Sequence, residues 1–343
     1  MTKKILIVRL SAMGDVIFNL PLANILKNNG YEVTWLVSEK GFDIVNNNPA
    51  VDEAVLAPVE KWKKQSFFKN IKEYFQIIKY IRSKHFDIAI DTQLLLKSFI
   101  WTVLCGAKRR IVSKSAREFA ILGGNEVIGK LANDFSTHAA VSYLEFAKHL
   151  NLDTNSIQTS LPPSTNDITN KIDNLLKDLD KNKPIITLAP ATTWVTKHWN
   201  KDNWKELVSK LETNYNIIFT GTSKDLELID YISEDKHLNL AGKTNLLELV
   251  ELFRRTDLLI SLDSGSTHLA WASGHPKIIS IYCSTPPTRY APIGDKYIAL
   301  TGNLECQHCH KRKCPLKTNE CTYSPKVEEV LAAINKLLPL NII

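Results

Sequence analysis

The pattern that most constrains this chain is an alternation of strand and helix that runs along nearly all of it, twice over. In the first half, apolar runs at 5–8, 32–37, 54–57 and 86–91 read as strands. Helical stretches are expected at about 70–83, 97–104 and 141–150. A polar segment, 151–183, carries Leu161-Pro162-Pro163-Ser164 and a short charged helix, and reads as a connection. The second half then repeats the scheme, with strands at 185–189, 217–220, 258–262 and 277–282 and helices at 204–212, 225–232 and 245–253. An amphipathic helix at about 326–338 is placed to pack back across a domain boundary. Two such alternations imply an α/β protein of two doubly wound domains facing each other across a cleft. The expected division is 1–165, 166–325 and a terminal helical piece, 326–343, and 343 residues suffice for it.

Composition excludes several classes. No apolar run is long enough to span a bilayer as a helix, and the N-terminal residues lack the apolar core of a secretory signal. A cytoplasmic protein is expected. The formal net charge is +7, yet Lys61–Lys84 alone holds eight basic residues against one acid, Glu73. Trp62, Phe67, Phe68, Tyr74, Phe75 and Tyr80 are interleaved with them. That stretch reads either as a solvated helix face with an apolar back or as a surface for an anionic partner such as membrane or phosphorylated lipid. Nucleic acid is not expected, because no recognition motif accompanies the charge.

Open α/β sheets place ligands at the carboxyl ends of their strands, and the chemically suggestive residues fall there. Met13-Gly14-Asp15-Val16 follows the first strand, and Asp15 offers a helix cap or a base. Asp263-Ser264-Gly265-Ser266-Thr267-His268 lies between a strand and a helix, a turn whose free amides and helix dipole attract phosphate. It carries neither the P-loop lysine nor GxGxxG, and a capped helix is its plainer reading. Ala191-Thr192-Thr193 with Lys197-His198-Trp199 supplies hydroxyls and an ammonium for a diphosphate. Gly221-Thr222-Ser223-Lys224-Asp225 adds a carboxylate able to accept ribose hydroxyls.

Together with Asp91-Thr92-Gln93 and Lys97-Ser98, these motifs occur in an order that resembles the ADP-heptose:lipopolysaccharide heptosyltransferases. The Lys-His-Trp and Asp-Thr-Gln variants look most like heptosyltransferase I. The resemblance runs from residue 1 to about 295. It implies a GT-B fold of two Rossmann-like domains, and transfer of heptose from ADP-heptose to the Kdo-lipid A inner core. Inversion at the anomeric carbon and no required cofactor or metal go with it, at the cytoplasmic face of the inner membrane. By the same resemblance Asp15 is the catalytic base. Thr192, Thr193, Lys197, Asp263, Ser264, Gly265 and His268 hold the sugar nucleotide. Asp225 and Thr244 stand where heptosyltransferase I enzymes can carry Glu and Met. Lys61, Lys63, Lys64, Arg117 and His138 match a basic acceptor-side region. A second or third core heptose as the product, another nucleotide sugar as donor, or a non-catalytic binding protein on the same scaffold are the alternatives.

Four of the six cysteines form Cys306-x2-Cys309-x4-Cys314-x6-Cys321. This density of thiols is compatible with a structural zinc site, although the spacing is not that of a standard finger; reduced cysteines in a compact loop are the simpler reading. Cys105 and Cys283 read as buried small residues.

Overall fold

The computed structural model describes residues 2–132 and 135–339, with the side chains of Phe67 and Phe68 outside the described set. The chain forms two compact units, Met1–Pro163 and Ser164–Ile343.

The first unit is built on six parallel strands: β1 (Lys4–Val8), β2 (Glu32–Ser38), β3 (Glu53–Ala57), β4 (Ile88–Asp91), β5 (Arg109–Ser113) and β6 (Glu126–Ile128). Their order is β3-β2-β1-β4-β5-β6. Ile5, Leu6, Ile7 and Val8 are all fully buried, as a central strand covered on both faces requires. Helix Phe67–Ser83 turns Tyr74, Ile77, Ile78 and Ile81, at helical spacing, onto a core of Leu6, Val8, Leu36 and Phe86. There Trp62 stacks on Tyr74 at 3.8 Å and Tyr74 on Trp101 at 5.4 Å. Two of the aromatics in the basic stretch are therefore core, while Phe75 and Tyr80 are exposed.

The second unit repeats the plan with β7 (Ile185–Ala189), β8 (Asn216–Phe219), β9 (Leu238–Asn239), β10 (Leu258–Leu262), β11 (Lys277–Tyr282) and β12 (Tyr297–Thr301). The order β12-β11-β10-β7-β8-β9, read from the other edge, is that of the first sheet. Both units thus have the 3-2-1-4-5-6 winding of dinucleotide-binding sheets. In each, the strand order reverses between the first and fourth strands, β1 and β4 in one and β7 and β10 in the other.

The units divide at Ser164, against an expected 166. Helix Asn166–Leu176, polar enough to read as part of the connection yet inside the expected second division, is packed in the second unit. Its Ile172 is fully buried with Ile218, Leu240 and Leu252, and Lys171 meets Glu248 at 2.8 Å. The second unit starts at Ser164, whose hydroxyl donates to Glu251 and accepts from Arg254, both at 2.7 Å. The last helix, Val327–Leu337, also counts to this unit: Val327, Val330, Ala333 and Ile334 are buried in one core with Ile186, Trp204 and Ile279. Residues 340–343 of the expected terminal piece lie outside the described residues. Four strands, β5, β6, β9 and β12, had no counterpart in the sequence pattern. β5 opens on Arg109-Arg110, whose first guanidinium is held bidentately by Glu126 of β6 at 2.6 and 2.8 Å. β6 and β9 are three and two residues long, and β12 is a half-buried edge strand. No described helix is long and apolar enough to cross a membrane.

Candidate functional site

The strand-order reversal of the first unit carries a knot of polar side chains. Arg9, one residue past β1, is buried, and its guanidinium reaches Asp15 Oδ2 at 2.6 Å and donates to the Thr92 carbonyl. Asp15 sits in the first turn of helix Met13–Phe18, where its Oδ2 also accepts the Ala12 N–H at 3.4 Å. The Tyr143 hydroxyl donates to its other oxygen at 3.5 Å, and the Arg9 guanidinium lies 5.3 Å from the Tyr143 ring centroid. Burial works against the Arg9 charge, but Asp15 and Tyr143 outweigh it and raise its pKa. The cation of this pair is covered and the carboxylate, 39% exposed, is presented. From the β4 side, Gln93 Oε1 accepts the N–H groups of Leu10 and Ser11 at 3.1 and 3.0 Å, and Lys97 donates to the Ser11 hydroxyl at 2.8 Å. Burial, together with Arg9 and Lys63, lowers the Lys97 pKa.

Asp91, the last residue of β4, is wholly buried, and Oδ1 accepts the N–H groups of Gln93 and Leu94 at 2.9 Å each. Burial pushes its carboxyl up to about 6, against those amides, Ser98 and Arg9. The sequence motifs include Asp91 without a task and leave Arg9 aside. The signal was present for both: a charged residue directly after, or closing, an apolar strand next to the reversal.

The second unit's reversal is built differently. Asp263, directly after β10, is 3% exposed and receives the Lys197 ammonium at 2.6 Å and His268 Nε2 at 3.5 Å. Burial opposes its charge, but His268 and Lys197 prevail and hold the carboxyl far below the usual range. Ser264 stands at the N-cap of helix Gly265–Ser273 without a side-chain capping bond, so the amides of its first turn and the dipole's positive end are left open at the sheet end beside Lys197. Thr192 Oγ donates to the Asp263 carbonyl at 3.3 Å, and His198 Nε2 lies 2.8 Å from the Thr192 carbonyl. Lys197, Asp263, Ser264, Gly265, His268 and Thr192 are thereby brought together, and Thr193 is the exposed neighbour of the last. Asp225 Oδ2 accepts the Thr222 N–H at 2.7 Å and its hydroxyl at 2.8 Å, which leaves Oδ1 without a partner among the described residues. Thr244 is half-buried in the turn ahead of helix Leu246–Arg255.

The Lys197 ammonium also lies 4.5 Å from the Trp194 ring, and the Arg312 guanidinium 5.1 Å from the same indole. Beside it is a cavity of about 680 Å³, lined by Thr193, Trp194, Val195 and Thr196 and by Arg312, Lys313, Cys314, Lys317 and Asn319. All six cysteines are free thiols. Among the described residues no three His, Cys, Asp or Glu side chains are grouped to hold a metal ion. Cys321 is buried, and burial with the neighbouring Cys309, Cys314 and Cys306 pushes its thiol up to about 11. The backbone N–H groups of Asn319, Leu316, Thr318 and Lys317 have the opposite effect on Cys314 and lower it.

The acceptor-side residues divide. Lys61 is paired with Glu73 at 3.0 Å and Lys63 with Glu60 at 2.8 Å, whereas Lys64 and Arg117 are exposed and in no ion pair among the described residues. His138 is buried, accepts the Ala140 N–H on Nδ1 at 3.2 Å and meets Phe18 edge-on at 5.3 Å, so it caps helix Ala139–Tyr143.

Residues 74–319 match the family model for glycosyltransferase family 9 (heptosyltransferase). The chain is 27% identical over 300 residues to the lipopolysaccharide core heptosyltransferase OpsX of Haemophilus influenzae, covering 84% of this chain and 82% of that one. It is 25% identical over 339 residues to lipopolysaccharide heptosyltransferase 1 of Pseudomonas aeruginosa, with 95% and 89% covered. The solved structure of Escherichia coli heptosyltransferase WaaC with ADP shares the fold, with a TM-score of 0.74 at 23% identity over 97% of this chain and 99% of the other.

Proposed function

The chain belongs to glycosyltransferase family 9, the heptosyltransferases, and on that premise we propose that it moves heptose from ADP-heptose to the Kdo-lipid A inner core with inversion. The observation that supports this reading most is Lys197, held by Asp263 at 2.6 Å beside the open N-terminus of helix Gly265–Ser273. An ammonium has three donors. One spent on Asp263 leaves two for diphosphate oxygens, next to the first-turn amides. As the bond from the anomeric carbon to the diphosphate breaks, charge accumulates on the leaving oxygen. Contacts aimed there strengthen in the transition state and lower the barrier. Thr192 and Thr193 orient the phosphates, and Asp225, through its unpartnered oxygen, takes the ribose.

In the first unit Asp15 accepts the proton of the acceptor hydroxyl. The new C–O bond forms as the old one breaks, ADP leaves with the bonding electrons, and attack from the opposite face inverts the centre. Arg9 fixes the position of Asp15. A carboxylate so placed suffices, because the hydroxyl becomes strongly acidic once its oxygen bonds to carbon. Lys64 and Arg117, with Lys97 near Ser11, receive acceptor anions. Lys197 and the helix amides do the work of a cation at the diphosphate, so no metal is required. The basic stretch, in which Lys64, Lys69, Lys72 and Lys79 are in no ion pair among the described residues, rests on the anionic cytoplasmic face of the inner membrane.

The test is ADP release from ADP-heptose with deacylated Kdo-lipid A, for the wild-type protein and Asp15→Asn. Acceptor-dependent release that falls by about 10²–10⁴-fold in the variant supports transfer with Asp15 as base. Release only with a heptose-bearing core acceptor moves the assignment to a second or third heptose. ADP binding with no release on any acceptor overturns the enzymatic reading.

A further inference from the structure

Of the residues lining the cavity beside Trp194, only Thr193 has a part in the chemistry above. Three of the cavity's cations, Arg312, Lys313 and Lys317, are in no ion pair among the described residues. From Lys311 to Lys317 the chain has four cations and no acid. Uncompensated charge around a hollow is costly to keep close together, and an anion entering it relieves that repulsion. The walls are also held in place. Thr196 Oγ donates to the Lys311 carbonyl at 2.6 Å, the His310 N–H to the Ser284 carbonyl at 2.7 Å, and the Asn200 N–H to the Thr322 carbonyl at 2.7 Å. Trp194 carries the Arg312 guanidinium over its ring, so that cation is positioned before any ligand arrives. The Asn319 amide adds a neutral donor and acceptor of the kind that sugar hydroxyls use.

We propose that this cavity is a subsite for an acidic sugar of the acceptor, one carrying a carboxylate or phosphate, with Arg312 and Lys317 binding the anion and Asn319 the hydroxyls. It rests on the transferase reading. The indole that positions Arg312 also contacts Lys197, so the acidic sugar is bound one residue's width from the diphosphate cation. The cysteine-rich loop then has a purpose beyond packing: it builds the second wall of the subsite.

The experiment compares wild-type protein, Arg312→Ala/Lys317→Ala and Arg312→Lys, using deacylated Kdo-lipid A and ADP as separate probes. The double variant is expected to raise KM for the saccharide at least about tenfold, with kcat within about twofold and ADP affinity unchanged. Arg312→Lys recovers most of the loss, and the wild-type KM rises more steeply with salt than that of the double variant. An unchanged KM overturns the proposal. So does an equal loss of ADP affinity, which would assign the cavity to the donor's diphosphate. Absence of transfer in the wild type defeats the transferase reading alone. Calorimetric binding of the saccharide, tenfold weaker in the double variant or unchanged, then decides the cavity by itself.

Discussion

Asp91 and Asp263 stand at the same end of two sheets of the same winding, Asp91 closing the fourth strand beside the reversal and Asp263 directly following it. Both are buried, and they titrate in opposite directions. The difference lies in which way the cation beside each reversal turns. In the second unit Lys197 turns to the strand-end aspartate, which stays ionised, and the ammonium is the charge left near the surface. In the first, Arg9 turns outward to Asp15 and acts on Asp91 only through space, so burial outweighs it, the amides and Ser98 and drives Asp91 up to about 6. One scaffold therefore presents a carboxylate and the other an ammonium. Winding fixes the location of a site, and the direction of a single ion pair fixes its sign.

The largest expected effect separates the two presented charges. Asp15→Asn should cost about 10²–10⁴-fold in transfer while ADP binds as before, and the urea midpoint should fall too, because the buried Arg9 guanidinium loses its carboxylate partner. Lys197→Met should weaken ADP binding as well as transfer, because it removes the ammonium at the diphosphate. Removing it leaves Asp263 ionised and buried with His268 alone, a loss of about 3–5 kcal/mol in unfolding free energy by urea denaturation. A small loss there would mean that Asp263 is neutral and the comparison fails.

Titration comes next. Asp91 has a folded pKa above its unfolded one, so its contribution is full below about pH 4. It is lost as pH rises to about 6, an amount of about 3 kcal/mol. Asp91→Asn should remove that downward slope from the stability profile. Asp263, held far below the usual range, contributes in the other sense: its stability is present above about pH 4 and disappears only as acid reaches its low folded pKa. The smallest effect is expected from chelation, with transfer in EDTA staying within about twofold of that without it. A larger drop would show that Lys197 and the helix amides do not suffice at the diphosphate.

The fold was legible because buried parallel strands are nearly continuous apolar runs, and Ile5–Val8 and Leu258–Leu262 are buried throughout. The strands that escaped were those set by partners: β5 begins with two arginines whose place depends on Glu126 and backbone neighbours. At the site, Lys197, Asp263 and His268 were readable as a group, since each follows a strand of one sheet. Their mutual pairing was not, and neither was the role of Arg9, because an ion pair's partner is chosen by geometry that no local spacing encodes. The basic stretch shows the same limit. Its aromatics alternate with lysines in sequence, yet Trp62 and Tyr74 stack inside while Phe75 stands outside, a sorting done by the helix turn.

The final helix has a consequence in time. Residues 1–163 form a unit of their own and can fold as soon as they have been synthesised. The second unit is closed by Val330 and Ile334, packed in one core with Ile186 and Leu188 from its first strand. Its apolar interior stays open until nearly the whole of 164–343 has been made, roughly 10–35 s at common elongation rates. During that interval the nascent chain presents a finished half and an uncovered sheet, and truncation before Val327 would make that state permanent.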